Sequence, residues 1–165
     1  MPRVYSDEER AAWMHTLPAK RIGGVLMIYN SKGQVLLQKP SYRKNVWQVP
    51  GGVVEESETP LTGAVREIKE ELGLDIPKED VKFEGIFHIP AHGAYPDFLN
   101  TVFSTQLNDE QVKSIDFRKE EIEDIMFVDL EEMENYMPPF IANGYKDVLE
   151  VSTAAYSEGQ GEIVH

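Results

Sequence analysis

The sequence has no cysteine, no long apolar run and a shortage of basic residues. Without cysteine it forms no disulfide framework, and the expected location is a reducing compartment such as the cytoplasm. No stretch approaches the roughly 20 consecutive apolar residues that a membrane-spanning helix needs. Residues 1–9 also lack the apolar centre of a signal peptide, so no membrane partner is expected.

The charge balance restricts the class of partner. Lys and Arg total 16 against 29 Asp and Glu, which gives a formal net charge of −13 at pH 7. Proteins that bind the phosphate backbone of DNA or RNA need a basic face, so a nucleic acid polymer is not an expected partner. A small polyphosphate is compatible with this charge when a bound cation dominates the local field.

Length and periodicity predict a single domain of the α/β class. The 165 residues suffice for one core and show no repeat or linker, so we expect a domain over 1–152 and a flexible tail over 153–165. Residues 89–99 and 108–122 are expected to be connections. Strands are predicted at 22–29, 34–38, 47–49, 81–88, 101–107 and 125–128, and helices at 7–16, 60–72, 129–137 and 138–151.

Residues 52–74 hold the densest pattern in the chain. Thr59 is suited to cap a helix, Pro60 to occupy its first turn, and Gly73 to adopt the left-handed conformation just past its end. Between them, apolar residues recur at three- and four-residue steps and predict one buried stripe: Leu61, Ala64, Val65, Ile68 and Leu72.

A separate arc of this helix carries three acidic residues. Glu67, Glu70 and Glu71 lie within about 100° of one another, where like charges repel by roughly 0.2–0.5 kcal/mol per pair. One interpretation is a solvated acidic face, which charge runs usually form. It leaves the glycines, Glu58 and Arg66 unexplained. The other is a divalent cation site, because Mg²⁺ takes oxygen ligands, often carboxylates together with substrate phosphates.

The spacing G-x5-E-x7-R-E-U-x-E-E-x-G-U, with U an aliphatic residue, closely resembles the Nudix box of MutT-like pyrophosphohydrolases. The lead-in at 47–52 also resembles that of the family. Ser57 is a departure, since many members have glycine there, and we expect it to alter the loop without abolishing activity. The defining positions are all filled, by Gly52, Glu58, Arg66, Glu67, Ile68, Glu70, Glu71, Gly73 and Leu74.

The resemblance implies a fold and a metal site. The fold is the Nudix fold, a mixed β-sheet in an α/β/α sandwich. The cofactor is Mg²⁺, or Mn²⁺ in its place, bound as one to three ions. Glu70 and Glu71 are the implied ligands, and Glu67 and a backbone carbonyl of Gly51 or Gly52 often join them.

The resemblance also implies a reaction, the hydrolysis of a phosphoanhydride bond by metal-assisted attack of water. Its catalytic residues include Glu67, Glu70 and Arg66, with one glutamate as general base, while Arg66 and Glu58 support the loop. The implied substrate is a nucleoside diphosphate linked to another moiety. This is either a nucleoside triphosphate, including oxidised ones, or ADP-ribose or a related nucleotide sugar. A homodimer is an option, because many Nudix enzymes dimerise.

A different class of function is a Nudix domain that senses or binds nucleotides with little turnover. Such modules typically lose box glutamates. This chain keeps all of them, which favours the enzyme over the binding module.

Several residues outside the box are candidates that also have an ordinary explanation. Glu121, chosen over Glu123, precedes a strand where many Nudix members place a further catalytic or metal-binding glutamate; the alternative is a charged surface loop. Lys39 and Arg43 are near enough in sequence to meet a substrate phosphate, although exposed basic side chains are the default. Substrate contacts are also predicted, against core or loop roles, for Phe87, His88, Tyr95 and Phe98.

Overall fold

A mixed β-sheet forms the centre of the molecule. The computed structural model describes residues 5–91 and 96–150, and the backbone of 155–158. Short 3₁₀ turns lie at Lys78–Asp80 and Leu130–Asn135. The elements in chain order are α1 (Asp7–Met14), β1 (Arg21–Tyr29), β2 (Val35–Pro40), β3 (Gly51–Val53), α2 (Pro60–Leu72), β4 (Lys82–Ile89), β5 (Phe98–Gln106), α3 (Asp109–Lys113), β6 (Ile122–Val128), α4 (Pro139–Glu150) and β7 (Ala155–Glu158).

Strand β1 is the central strand of this sheet. The order is β6-β2-β1-β5-β4-β7, and β3 pairs separately with β1. The pairs β1–β5 and β4–β7 are parallel, and the remaining pairs are antiparallel. Three consecutive residues of β1, Leu26 to Ile28, have no exposed surface. Burial of both faces explains why residues 25–28 of this strand are all apolar.

Helices cover the two faces of the sheet, which confirms the predicted α/β/α sandwich. Because side chains alternate along a strand, β1 supplies both cores. Leu26 and Ile28 pack with α2, whereas Val25 and Met27 pack with α4. The helical residues of the two cores are Ala64, Ile68 and Leu72 of α2 and Ala142, Tyr145 and Val148 of α4.

Strand β1 has two antiparallel partners on the same side. Tyr29 pairs with Val35 of β2, whereas Val25 and Gly24 pair with Gly51 and Gly52 of β3. The sequence predicted a strand at 47–49, but that segment makes only an isolated bridge at Gln48. The reason is that pairing with β1 begins only at Pro50, whose carbonyl accepts a hydrogen bond from the Leu26 N–H at 3.0 Å.

The hairpin of β4 and β5 extends further than predicted. Ile89 pairs with Phe98, so both strands extend into the connection that was expected over 89–99. Asp97 holds these ends together, because its carboxylate accepts hydrogen bonds from Lys20 Nζ and the Ala91 N–H, both at 2.8 Å. This clamp joins the end of β4 to the segment that enters β1.

The structure also differs from the sequence prediction near the C-terminus. Ala155–Glu158 form β7, parallel to β4, within the segment expected to be a flexible tail. A physical reason is that β4 otherwise leaves one edge of its backbone unpaired. The remaining residues of the predicted tail lie outside those described. In the described parts of the chain, no helix is long and apolar enough to cross a membrane.

The glycine in the last helix has a packing role, although it weakens the helix locally. Gly144 lies against Phe87, and a Cβ added there would overlap the aromatic ring. We expect Gly144→Ala to lower the free energy of unfolding by about 1–2 kcal/mol. Overpacking typically costs about 1–3 kcal/mol and outweighs the gain in helix propensity. Urea unfolding measures the difference.

The matched control is Asn143→Ala in the same helix, where the side chain is exposed. It gains helix propensity without a clash, so its stability should rise by about 0.5 kcal/mol. Equal effects of the two substitutions would contradict the close contact with Phe87.

Candidate active site

The helix of the box begins and ends as the sequence predicted. Thr59 Oγ1 accepts a hydrogen bond from the Thr62 N–H at 3.2 Å, and Pro60 occupies the first turn. Gly73 ends the helix with φ 68°, a conformation that glycine adopts without strain. Ser57, the departure from the family pattern, also has a positive φ of 69°. Serine therefore adopts the left-handed conformation there that glycine would adopt more easily.

Arg66 connects the loop of the box to the acidic face of α2. Its guanidinium binds Glu58 with two hydrogen bonds, from Nε at 2.9 Å and Nη2 at 3.1 Å. Nη2 also donates to the Val53 carbonyl at 3.3 Å, and Nη1 donates to Glu67 Oε1 at 2.9 Å and to Glu70 Oε2 at 3.3 Å. The hydrogen bond from Arg66 lowers the pKa of Glu58. These contacts join the loop of the box to its helix.

Glu71 is the buried member of the acidic cluster, with 7% of its surface exposed. Its carboxylate accepts a hydrogen bond from Gln38 Nε2 at 2.7 Å. Burial raises the pKa of Glu71 to about 7, and the charges of Glu67 and Glu121 contribute in the same direction. Such a carboxylate carries a full negative charge at low cost only beside a cation.

Glu67 and Glu70 are more accessible. Burial raises the pKa of Glu67, the hydrogen bond from Arg66 opposes this, and the charges of Glu70 and Glu121 add to it. Glu70 is exposed. Gly52 lies directly against Glu67, since an added Cβ would overlap its carboxylate. The structure therefore brings Glu67 and Glu71 together with the two glycines that precede the loop.

The segment after α3 holds the C-terminal end of α2. The N–H of Asp116 donates to the Leu72 carbonyl at 3.1 Å, and the N–H of Arg118 donates to the Glu71 carbonyl at 2.8 Å. These bonds satisfy carbonyls that a helix end leaves open. The same segment carries Glu121, which pairs with Arg118 Nη1 at 2.9 Å. Glu121 is close enough to influence the pKa of both Glu67 and Glu71, so it lies near the acidic cluster.

The donor set fits a hard divalent cation. Glu67, Glu70, Glu71 and the carbonyls of Gly51 and Gly52 offer only oxygen, as Mg²⁺ and Mn²⁺ prefer. Among the residues that the structure describes, no basic side chain forms a hydrogen bond with the buried Glu71 carboxylate, so a cation would offset its charge. Among the described residues, no three acidic or histidine side chains converge closely enough to form a ready metal cluster. Arg66 Nη1 lies between Glu67 and Glu70 instead.

The candidates outside the box have different surroundings. Phe87 is fully buried against Tyr145, so the prediction that it contacts substrate is wrong. His88 Nε2 lies 3.2 Å from Asp97 Oδ1 in the hairpin clamp. Phe98 is the half-buried first residue of β5. Tyr95 lies outside the described residues.

The two basic candidates also differ from each other. Lys39 Nζ pairs with Glu123 Oε2 at 3.0 Å, which shows Glu123 to be a structural partner on β6. Arg43 is exposed, and its guanidinium lies 5.8 Å from the ring centroid of Tyr42. Its loop is attached to the site, because the N–H of Ser41 donates to the Glu121 carbonyl at 2.8 Å.

Two surface depressions lie away from this site. One of about 480 Å³ is lined by residues that include Tyr29, Asp80 and Ser104, and another of about 350 Å³ shares Asp80 with it. Neither contains a residue of the box. The candidate site is therefore defined by the chemistry of its carboxylates.

Two contributors to the site were not anticipated from the sequence. Gln38 had a signal, because it is a polar residue in a strand whose neighbours Leu36 and Leu37 are buried. Arg118 had none, since its backbone contact with Glu71 depends on the path of a connection that shows no periodicity.

Comparison with known proteins decides the family. The model of the NUDIX domain matches residues 19–150, which is most of the chain. The chain belongs to the Nudix family. The family match confirms the predicted fold and class of enzyme, so this Nudix hydrolase is a pyrophosphohydrolase.

Individual relatives agree with this assignment. A Nudix hydrolase of Listeria monocytogenes, described as uncharacterised, is 31% identical over 137 residues, covering 76% of this chain and 77% of that protein. An RNA pyrophosphohydrolase of Nitratiruptor sp. is 28% identical over 136 residues, covering 74% and 83% respectively.

A solved structure shows the same fold. It is a bifunctional NMN adenylyltransferase/ADP ribose pyrophosphatase of Francisella tularensis, complexed with AMP and a Mn ion. The match has a TM-score of 0.65 at 15% identity and covers 86% of this chain and 44% of that one.

The burial of Glu71 predicts how pH affects the metal-free protein. Its pKa is raised from 4.5 to about 7 on folding, so the folded state holds the proton more tightly than the unfolded state. The wild type should therefore lose stability as pH rises from about 4.5 to 7, by up to about 3 kcal/mol. Glu71→Gln removes the charge, so with EDTA its stability should exceed that of the wild type at pH 8 and approach it at pH 5. Urea unfolding at both pH values measures this.

The control for this experiment is Glu79→Gln, which removes one negative charge from an exposed position. Its effect on stability should be small and similar at pH 5 and 8. An advantage of Glu71→Gln that is absent at pH 8, or equal at the two pH values, would contradict the buried carboxylate.

Proposed function

We propose that this Nudix hydrolase catalyses Mg²⁺-dependent hydrolysis of a phosphoanhydride bond in a nucleoside diphosphate linked to another moiety. The observation that carries the proposal is the combination of a buried Glu71 with Glu67 and Glu70 on one side of α2. This side faces the backbone of β3, and the groups there that could bind a metal ion are all oxygen atoms. Membership of the family indicates pyrophosphate hydrolysis, and the oxygen ligands available at the site support Mg²⁺ as the metal.

The metal would be held by Glu67, Glu70, Glu71 and a backbone carbonyl of Gly51 or Gly52. When bound, Mg²⁺ would neutralise the diphosphate oxygens and polarise the phosphorus toward attack by water. Mn²⁺ has the same preference for oxygen ligands, and the similar Francisella protein was crystallised with it. We propose one to three ions, since Glu121 adds a further carboxylate beside the cluster.

The protein side chains would contribute by position and by proton transfer. Arg66 holds Glu67 Oε1 and links it to Glu58, so the loop and helix keep a fixed relation. Glu67 Oε2 would then accept a proton from the attacking water, and the raised pKa of Glu67 makes it a better base than an exposed carboxylate. Glu70, the most exposed of the three, would reach the metal after leaving its long contact with Arg66.

A small nucleotide is a better substrate than the end of an RNA polymer. The net charge is −13, and three basic side chains near the site are engaged by acidic partners: Lys39 by Glu123, Arg66 by Glu58, and Arg118 by Glu121. In the described part of the chain, these pairs reduce the positive charge that could follow a phosphate backbone there. We therefore propose a nucleoside triphosphate, including oxidised forms, or ADP-ribose or a related nucleotide sugar.

A panel of substrates tests this function. The purified protein with Mg²⁺ should release phosphate or pyrophosphate, or split the diphosphate of ADP-ribose, with at least one compound among nucleoside triphosphates, their oxidised forms and nucleotide sugars. Turnover should be much slower on a 5′-triphosphate RNA. Product analysis by ³¹P NMR identifies the bond that breaks. Turnover of the RNA alone would contradict the substrate class, and binding without turnover of any compound would favour the sensing module.

The substitution Glu70→Gln tests the role of the cluster. We expect kcat to fall by at least about 100-fold, because losing a metal ligand removes several kcal/mol of transition-state stabilisation. The fold should persist, because Glu70 is exposed. Glu79→Gln is the matched control and should retain turnover. Unchanged turnover of Glu70→Gln would contradict the metal assignment.

A further inference from the structure

Gln38 is a polar residue at a core position of the sheet. In β2, Leu36 faces the core beneath α2, and alternation places Gln38 on the same face. Its pairing partner on the neighbouring strand β6 is Ile125, which packs against that same core. Gln38 has 0% of its surface exposed. An amide therefore occupies a site where an aliphatic side chain would normally lie.

The amide of Gln38 is only partly satisfied. Its Nε2 donates to Glu71 Oε2 at 2.7 Å, whereas its Oε1 accepts no hydrogen bond from any described residue. A buried acceptor without a partner costs about 1–3 kcal/mol. Stability alone therefore does not account for glutamine at this position. What distinguishes it from leucine or methionine is the hydrogen bond to Glu71.

The backbone of Gln38 is tied to the segment that leads into the glycines beside the acidic cluster. Gln38 and Gln48 exchange two backbone hydrogen bonds, both of 2.9 Å. Gln48 leads within four residues to Gly52, which lies directly against the Glu67 carboxylate. The donor to Glu71 is thus anchored to the part of the sheet that faces the acidic side of α2.

We propose that Gln38 is a positioning residue that holds the Glu71 carboxylate in the orientation in which it binds the divalent cation. This inference rests on the proposed metal-dependent function. A neutral amide suits the role, because lysine or arginine would neutralise the carboxylate and compete with the cation. An aliphatic residue would leave the side chain of Glu71 free to rotate.

The test is Gln38→Met, which keeps the length and apolar packing of the side chain but removes the donor. Titration of the substrate-free protein with Mn²⁺, followed by EPR of the free ion, measures metal affinity directly. We expect it to fall about 10-fold or more, as is usual when a partner of a metal ligand is lost. With metal below saturation, kcat should fall similarly while KM for the nucleotide changes less than twofold. Gln38→Asn, whose amide is too short to reach Glu71, should show the same defect if the methionine variant folds poorly.

Asn100→Leu is the matched control. Asn100 is a second buried amide, 8% exposed, and its Nδ2 donates to Tyr145 Oη at 3.3 Å against α4 on the other face of the sheet. Its loss should lower stability and leave Mn²⁺ affinity unchanged. A general loosening of the core would weaken metal binding in both variants, and that result would overturn the positioning role.

A double variant tests whether Gln38 acts through Glu71. Adding Gln38→Met to Glu71→Gln should change Mn²⁺ affinity less than twofold, because the interaction is already lost. A further 10-fold loss, or unchanged affinity in Gln38→Met alone, would overturn the proposal while leaving the metal-dependent hydrolase intact. Failure of the wild type to bind Mn²⁺ or Mg²⁺ and to hydrolyse any nucleotide would overturn both.

Discussion

The site depends on how closely α2 approaches the backbone of the sheet. A Cβ on Gly24 would overlap the Pro60 carbonyl, and one on Gly52 would overlap the carboxylate of Glu67. These two glycines allow the first turn of the helix to lie on β1 and its acidic side to lie on β3. Because the approach is so close, Glu71 is buried between helix and sheet, and its charge loses most of its hydration.

The acidic cluster is compensated in two different ways. Arg66 provides positive charge for Glu58, Glu67 and Glu70, all within 3.3 Å of its guanidinium nitrogens. Among the described residues, the side-chain hydrogen bond that Glu71 accepts comes from the neutral amide of Gln38. Burial raises the pKa of Glu71 to about 7, and no basic side chain opposes this through a hydrogen bond as Arg66 does at Glu67. This difference makes Glu71 the carboxylate whose ionisation gains most from a bound cation, because the other three already have a partner of opposite charge.

The sequence predicted α2 well because its signals are local. Caps at Thr59 and Gly73 and a 3.6-residue apolar stripe require no knowledge of distant parts of the chain. The predictions failed where strands pair with distant parts of the chain. Strand β3 lies just after the predicted strand at 47–49, because β1 pairs with this segment only beyond Pro50. Phe87 could be assigned to substrate or core on composition alone, and its contact with Gly144, 57 positions later, decides for the core. The polarity of Gln38 was visible, but its partner Glu71 lies 33 residues away.

The two ends of α2 are held by separate parts of the chain. The glycines of β1 and β3 fix its first turn, whereas backbone bonds from Asp116 and Arg118 hold its last carbonyls. The latter segment continues directly to Glu121, so one set of bonds fixes both the end of the helix that bears Glu71 and the extra carboxylate beside it. The backbone separation of Glu71 and Glu121 is therefore set by these bonds, while the Glu121 carboxylate is held further by the Arg118 side chain, whose Nη1 lies 2.9 Å from it.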